Sequence, residues 1–488
     1  MVEDNELKRG INLPIAIFII IGMVIGAGIW VSPAAYLSRT GPGIFIAYII
    51  AVIPAIFVAY LVAYVGSAFP VAGGTYVITS RLLGGFGGFM TVWLVILAVG
   101  SALAFLAATL GVFIGQALGI PPESELLFVL IVGISALVIF YLLNWIKVEI
   151  SGLIELILTI VGDVFVMVIF IIAAIPHFNP SNFEPLFPIG LGPVLFAGLI
   201  FFFSYTGFTL ILDVAGEIKN PKKNIPRALL ISMVTLTILY VLQALMVAGI
   251  QPWDSPVGTV TEILILGGIL PPEIIMVMIV LISIAIASTL HPSYMAYSRD
   301  ILVAARDQMF PKVFTKVNKK HKTPRPALTL LLVVGIFLLV TIIPLISSDP
   351  KYSIETASVL LSAVTATVVL ILQIPISLAV FILPKKFPEY HEKAGFKPAS
   401  WALKTMGILG SVTSLIFVLL LFTDPDAGLI IAIIIFPFAA VGAIVYLFRR
   451  RTLAKRGINI KEMMKTLPES VSLEEGAPGK VERLAKEK

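Results

Sequence analysis

The stretch IIIGMVIGAGIWVSP, residues 19–33, decides how this chain is read. It lies inside an apolar run long enough to cross a bilayer, yet it carries Gly22, Gly26 and Gly28 and closes on Pro33. Glycine and proline weaken helices more than other residues do. In hydrocarbon an unpaired backbone amide or carbonyl is costly, so non-helical backbone persists only where it lines a cavity or meets a ligand. The simpler alternative is that these glycines only let a neighbouring helix approach closely. A second broken span favours the first reading. FFFSYTGFTLILD, residues 201–213, is interrupted at SYTG by weak helix formers and locally bonding side chains. Two interrupted spans at corresponding places in two oppositely oriented halves point to an inverted-repeat secondary transporter with its site near the midplane. An opened helix offers N–H groups to a carboxylate at one end and carbonyls to an ammonium at the other, a pairing that suits an α-amino acid.

The rest of the composition agrees. The chain has 488 residues, of which 59% are hydrophobic and 13% charged, with a mean hydropathy of +1.04. Roughly 20 apolar residues cross about 30 Å of hydrocarbon, and by that rule twelve spans are expected. The expected fold is an all-α integral membrane protein with a 5+5 inverted repeat, discontinuous helices 1 and 6, and two extra C-terminal helices. Its parts are a tail (1–10), a first five-helix repeat (11–175), a second, inverted repeat (190–383), helices 11 and 12 (402–448) and a C-terminal tail (449–488). Lys8 and Arg9 precede the first span, but no small-residue cleavage site follows it, so the span is expected to be retained.

Charge placement supplies the orientation. Apart from Arg39 and Lys351, basic residues bordering the spans fall on the side of the two termini, which is therefore expected to be cytoplasmic in a cell membrane. The same distribution explains the net charge of +6 without nucleic acid. With no cysteine, a disulfide-linked subunit and Cys-ligated metals are excluded, and four scattered His make a His-based metal site a poor reading. No cofactor is expected. An intramembrane enzyme would need a compact set of polar side chains and a channel a polar pore face, and neither is visible.

Four motifs, in order, resemble those of the amino acid, polyamine and organocation (APC) transporter superfamily. They are IGAGIWVSP (25–33), FPVAGGTYVITSRLLGGFGGFMTVW (69–93), FFFSYTGFTLILDVAGEIKNPKKNIPRAL (201–229), and SRDILVAARDQMFPKVF (298–314) followed by KTPRPAL (322–328). The resemblance implies that a substrate carboxylate meets the N–H groups of Ala27, Gly28 and Ile29. It implies that the amino group meets carbonyls near Val24, Phe203, Ser204 and Thr206. Phe203 would shield the bound molecule, with Tyr205 and Phe208 shaping the pocket. This implied pocket holds no carboxylate unless Asp163 or Asp213 reaches it, so neutral amino acids are favoured, with cationic ones and polyamines as the second reading. Exchange, and a receptor that binds without moving its ligand, remain open by sequence.

Asp163, halfway along the fifth span, needs a reason to be there, because a mid-bilayer carboxylate is expensive and usually functional. Proton-coupled relatives often carry a Lys in this span, and the matching place here is Gly162. Three roles compete: a cation ligand, a proton carrier, or an acceptor for a nearby hydroxyl. A hard cation wants several oxygens at once, and in sodium-coupled relatives of this fold hydroxyls of the eighth span and carbonyls of the first supply them. Here these would be Ser288, Thr289, Gly22 and Ile25, so Na⁺ is ranked ahead of H⁺ as coupling ion. Asp213, Glu217, Arg299, Arg306 and Asp307 are expected to form gate and loop ion pairs rather than to touch substrate. His291, before Pro292, is read first as a partner for backbone freed by the kink.

Overall fold

The computed structural model describes residues 11–68, 74–146, 157, 159–212, 218–255, 257–318, 320–321 and 323–465. Among them all regular structure is helical, apart from one isolated bridge between Ile11 and Ile218. That follows from the solvent: in lipid, a spanning helix satisfies its backbone within its own segment.

The chain opens with α1 (Leu13–Val24), whose Asn12 cap accepts from the Ile15 N–H, and α2 (Gly28–Thr40) follows at an angle of 43°. Next come α3 (Ile44–Ala68), a short α4 (Gly74–Leu83), the 34-residue α5 (Gly85–Leu118) and α6 (Pro122–Trp145). A π-helical turn, Thr159–Phe165, leads into α7 (Val166–Ala174). The sixth span is α8 (Gly192–Phe201) continued by two 3-10 turns, Phe202–Tyr205 and Phe208–Leu212. Then follow α9 (Pro221–Ile250), short α10 (Val260–Leu266), α11 (Pro272–Arg306), α12 (Arg325–Ser347) and α13 (Ile354–Lys386). The short α14 (Pro388–Lys393), α15 (Ser400–Leu421), α16 (Gly428–Lys455) and short α17 (Ile460–Met463) complete the order. Among the described residues eleven helices are long and apolar enough to cross a membrane, and the bent pair α1 and α2, taken as one span, brings the number to twelve. The stretch 74–83, read from sequence within a loop, is helical, and the tails 1–10 and 466–488 lie outside the described residues.

α5 is the most enclosed span. It can sit at the centre because close approach is possible along it: a Cβ on Gly111 would lie 2.8 Å from the Val129 Cα of α6. At the periphery, α6 turns Leu127, Ile131 and Ile139 outward, and α16 does the same with Leu429, Ile433 and Phe436. Those faces are the ones that lipid covers.

At the end of the bundle away from Ile11, the two basic residues that sequence reading leaves there meet one carboxylate. Asp426 accepts from Arg39, from Lys351 Nζ at 2.6 Å and from the Tyr352 hydroxyl at 2.8 Å, while the Arg39 guanidinium lies 4.9 Å from the Tyr352 ring centre. The cluster ties the end of α2 to the α12–α13 and α15–α16 loops. Partial burial alone would raise the Asp426 carboxyl, but the hydrogen bonds from Lys351 and Tyr352 and the charge of Arg39 outweigh it and hold the group below its usual range. A depressed carboxyl stabilises the fold above its unfolded value, about 4, and loses that contribution as pH falls through the folded value. Asp426→Asn should lower the Tm in detergent at pH 7 by about 2 °C, on the order of 1 kcal/mol, and flatten the decline below about pH 4. Equal melting of variant and wild type at pH 7 would remove the cluster from the list of stabilising contacts.

Candidate functional site

The first span breaks because Ile25 leaves helical geometry, at φ −69° and ψ 112°, and α2 restarts at Gly28 with no side-chain cap on its first N–H groups. The sixth breaks at Thr206, which is extended at ψ 162°, and Gly207, with φ +103°. The two breaks press on each other. A Cβ on Gly207 would lie 2.3 Å from the Met23 carbonyl oxygen, and one on Gly28 would lie 2.5 Å from the Ser204 Oγ. Gly207 therefore answers two demands at once, a left-handed backbone and a carbonyl against its Cα.

Beside the breaks lies a cavity of about 110 Å³. Met23, Val24, Gly26, Phe203, Thr206 and Gly207 form one wall, and α5, α11 and α13 form the others. Phe203 meets Phe105 of α5 edge-on, with ring centres 5.0 Å apart. The cavity extends along Ser293 and Tyr297 of α11 toward Thr75 of α4, the end of the bundle where α17 packs. Beyond the breaks, Ala27, Ile29 and Trp30 are 0% exposed.

Of the residues that the resemblance brings to the substrate, Val24, Phe203 and Thr206 line this cavity. Ala27, Gly28, Ile29 and Ser204 are buried just behind it. Tyr205 and Phe208 do not shape its wall: Tyr205 is turned toward α3, where its hydroxyl donates to the Tyr48 carbonyl, and Phe208 is fully packed. Three of the carbonyls offered to an ammonium, those of Val24, Phe203 and Ser204, already hold donors. Phe203 O accepts from the N–H and the hydroxyl of Thr206, at 2.9 and 2.7 Å. The Tyr240 hydroxyl, on α9, lies 3.1 Å from Ser204 O and 3.5 Å from Val24 O. Phe203 O thus has both lone pairs engaged, whereas Val24 O and Ser204 O each keep a second one.

Asp163 sits in the π-helical turn, 2% exposed, and its Oδ1 has no hydrogen-bond partner. The turn packs on α11 and α1; a Cβ on Gly162 would lie 3.1 Å from the Ala285 Cβ. On α11, the Ser288 and Thr289 hydroxyls both donate to Ala285 O, at 2.8 and 3.1 Å, which leaves their lone pairs outward. Thr289 reaches the cavity, whereas Gly22, Ile25, Asp163 and Ser288 are not part of its lining. His291 is held by Asn144 of α6, whose Nδ2 lies 3.0 Å from the ring Nδ1 and 3.3 Å from the His291 carbonyl.

Comparison with known proteins places this geometry. Residues 11–451 match the family model described as Amino acid permease. The chain belongs to that family, within the APC superfamily. It is 27% identical over 416 residues to the branched-chain amino acid permease BcaP of Bacillus subtilis, covering 79% of this chain and 83% of that one. The serine/threonine exchanger SteT of the same organism is 25% identical over 397 residues, covering 79% and 85%. The human large neutral amino acids transporter small subunit 2 is 29% identical over 356 residues, covering 69% and 65%.

In this permease the motif residue Asp307 does form an ion pair, with a partner that sequence reading counted only as a topology charge. Asp307 accepts from Arg81 of α4 and from the Tyr76 hydroxyl at 2.8 Å. Arg81 also lies 3.5 Å from the Met464 sulfur, and Ile460 of α17 packs on Gly85. Arg299 is half-buried and Arg306 ends α11; Asp213 and Glu217 lie outside the described residues. Sequence reading passed over Tyr240, Gly207, Gln243 and Gln373. Tyr240 and Gln243 had a signal: two polar groups three apart in an apolar span share a helix face, and the Gln243 amide donates to Ile29 O at 3.0 Å.

Gly207→Ala should reduce uptake at least tenfold per unit of monodisperse protein, because both φ and the Met23 carbonyl oppose a side chain. Gly26→Ala, whose added methyl meets Leu106 at an ordinary 3.6 Å, should keep most of its uptake. Comparable uptake by both variants would show that the contact between the breaks is not needed for transport.

Proposed function

We propose that this permease is a secondary active transporter that moves neutral amino acids across the cell membrane by alternating access, coupled to a cation. The observation that carries the proposal is the cavity at the two breaks: among the described residues no lining residue is charged, while hydroxyls and an amide are spread among Val, Ala, Leu and Phe. A cationic side chain would surrender its hydration there without a counter-charge. The N–H groups that open α2 suit a carboxylate, and the remaining lone pairs of Val24 O and Ser204 O suit an ammonium. The names of two relatives agree, branched-chain amino acids for one and large neutral amino acids for the other, whereas a third is named for cationic amino acids.

Alternating access is supported by the asymmetry of the site. The cavity runs toward one end of the bundle, and Ala27, Ile29 and Trp30 close it off from the other. With the basic-residue bias setting orientation, that end is cytoplasmic, both termini are cytoplasmic, and the conformation is inward-facing. Breaks in the first and sixth spans at matching positions fit a 5+5 inverted repeat. An exchange mode is the second reading, favoured by similarity to a serine/threonine exchanger.

For the coupling ion we place Na⁺ ahead of H⁺, held by Asp163 with the carbonyls of Gly22 and Ile25 and the hydroxyls of Ser288 and Thr289. A buried carboxylate oxygen with no partner supports this, because a cation would supply its missing interaction. Na⁺ travels here as co-substrate. In proteoliposomes with an inward Na⁺ gradient, labelled neutral amino acids should accumulate, and Asp163→Asn should abolish the Na⁺ stimulation while leaving exchange against internal amino acid measurable. Uptake unchanged when choline replaces Na⁺ at constant pH would exclude sodium coupling, and accumulation with a proton gradient alone would make Asp163 the proton carrier.

A further inference from the structure

Four of the cavity's hydroxyls already donate to backbone carbonyls. Thr206 commits its hydroxyl to Phe203 O, Thr289 to Ala285 O, Ser293 to Thr289 O and Thr365 to Ala98 O. Such back-bonded hydroxyls face a ligand as acceptors. Gln373 of α13 differs. It lines the same cavity, is 2% exposed, and its Nε2 has no hydrogen-bond partner. Its Oε1 is engaged on the other side, where the Ser414 hydroxyl of α15, outside the cavity wall, lies 3.5 Å away. The amide oxygen thus has a partner on α15 at the limit of hydrogen-bonding distance, and the amide nitrogen has none.

A buried donor without a partner is expensive, and in a binding cavity the missing acceptor is the ligand's to bring. Val369, Leu372 and Ile376 of the same helix and Val95 and Val99 of α5 line the cavity with it and carry no acceptor in their side chains. We infer that Gln373 is a specificity-determining residue, whose amide N–H recognises an oxygen on the side chain of the transported amino acid and so favours hydroxyl- or amide-bearing neutral amino acids over aliphatic ones of equal size. The inference rests on the reading of the cavity as a neutral amino acid site and sharpens it. Threonine and valine test it cleanly, since they differ by one hydroxyl in place of one methyl. Sites that hydrogen-bond a substrate group discriminate strongly against the analogue lacking it, because the site's own group is then left unpaired.

The experiment is competition by L-threonine and L-valine against labelled L-alanine uptake, in proteoliposomes loaded with unlabelled L-alanine so that net transport and exchange both register. Wild type should prefer threonine by about tenfold. Gln373→Met, which keeps the length of the side chain and removes both its polar atoms, should reverse or erase that preference, read as the ratio of threonine to valine inhibition of the alanine uptake that remains. Gln373→Glu, which replaces the donor by a carboxylate, should admit L-ornithine as a competitor. An equal loss of affinity for threonine and valine in Gln373→Met, or no wild-type preference for threonine, would overturn the inference and leave the function standing. Failure of the wild type to take up alanine, with neither threonine nor valine shifting its thermal stability, would overturn the neutral amino acid reading itself. If Gln373→Met does not yield monodisperse protein, Gln373→Glu carries the test alone, and an unchanged threonine-to-valine ratio in it counts against the inference.

Discussion

Everything in this molecule is arranged around the cost of unpaired backbone in hydrocarbon. Two helices are opened where no water competes for their amides and carbonyls, and each opening is made good by the other and by α9. Met23 O rests on Gly207, the Ser204 side chain rests on Gly28, and the Tyr240 hydroxyl lies against carbonyls of both breaks. A π-helical turn beside them adds a third departure from regular geometry, and such turns cluster at functional sites. The strained elements are concentrated in one layer of the bundle, and long regular helices flank it.

Charge is handled in the opposite way, by removal to the ends. Among the described residues the cavity wall carries none, and the one carboxylate deep in the described spans near the breaks is Asp163. At one end Asp426 gathers Arg39 and Lys351; at the other Asp307 gathers Arg81 and Tyr76. Both clusters join parts of the chain remote in sequence, so they act as struts between hairpins that the apolar spans alone would leave free to slide. Exposed ion pairs contribute little to stability, and it is the near-complete burial of Arg81 that makes its pairing with Asp307 matter most.

The spans and the two breaks were legible in the sequence because length, hydropathy and the Gly and Pro positions are local properties. Which side chains of the broken segment face the cavity was not. A helix carries its register forward by the 3.6-residue period, and the 3-10 turns on either side of Thr206 and Gly207 discard that register, so Tyr205 and Phe208 face away while Phe203 and Thr206 face in. The π-helical turn at Asp163 was likewise invisible, since a one-residue slip in hydrogen bonding leaves no mark in composition. Gln373 escaped notice for another reason: a single amide in an apolar run reads equally as an interhelical contact, and only the cavity tells which of its atoms is spare.

The last span is not the last structural element of the chain. Past α16 the backbone turns back so that Ile460 fills the space beside Gly85 and Met463 and Met464 are buried, the latter against Arg81. Residues 457–465 therefore belong to the folded body and share a contact surface with the α4–α5 elbow. A purification tag or a reporter fused directly after α16 would replace that surface with foreign sequence and uncover a guanidinium, so the usable point of attachment lies beyond Lys465.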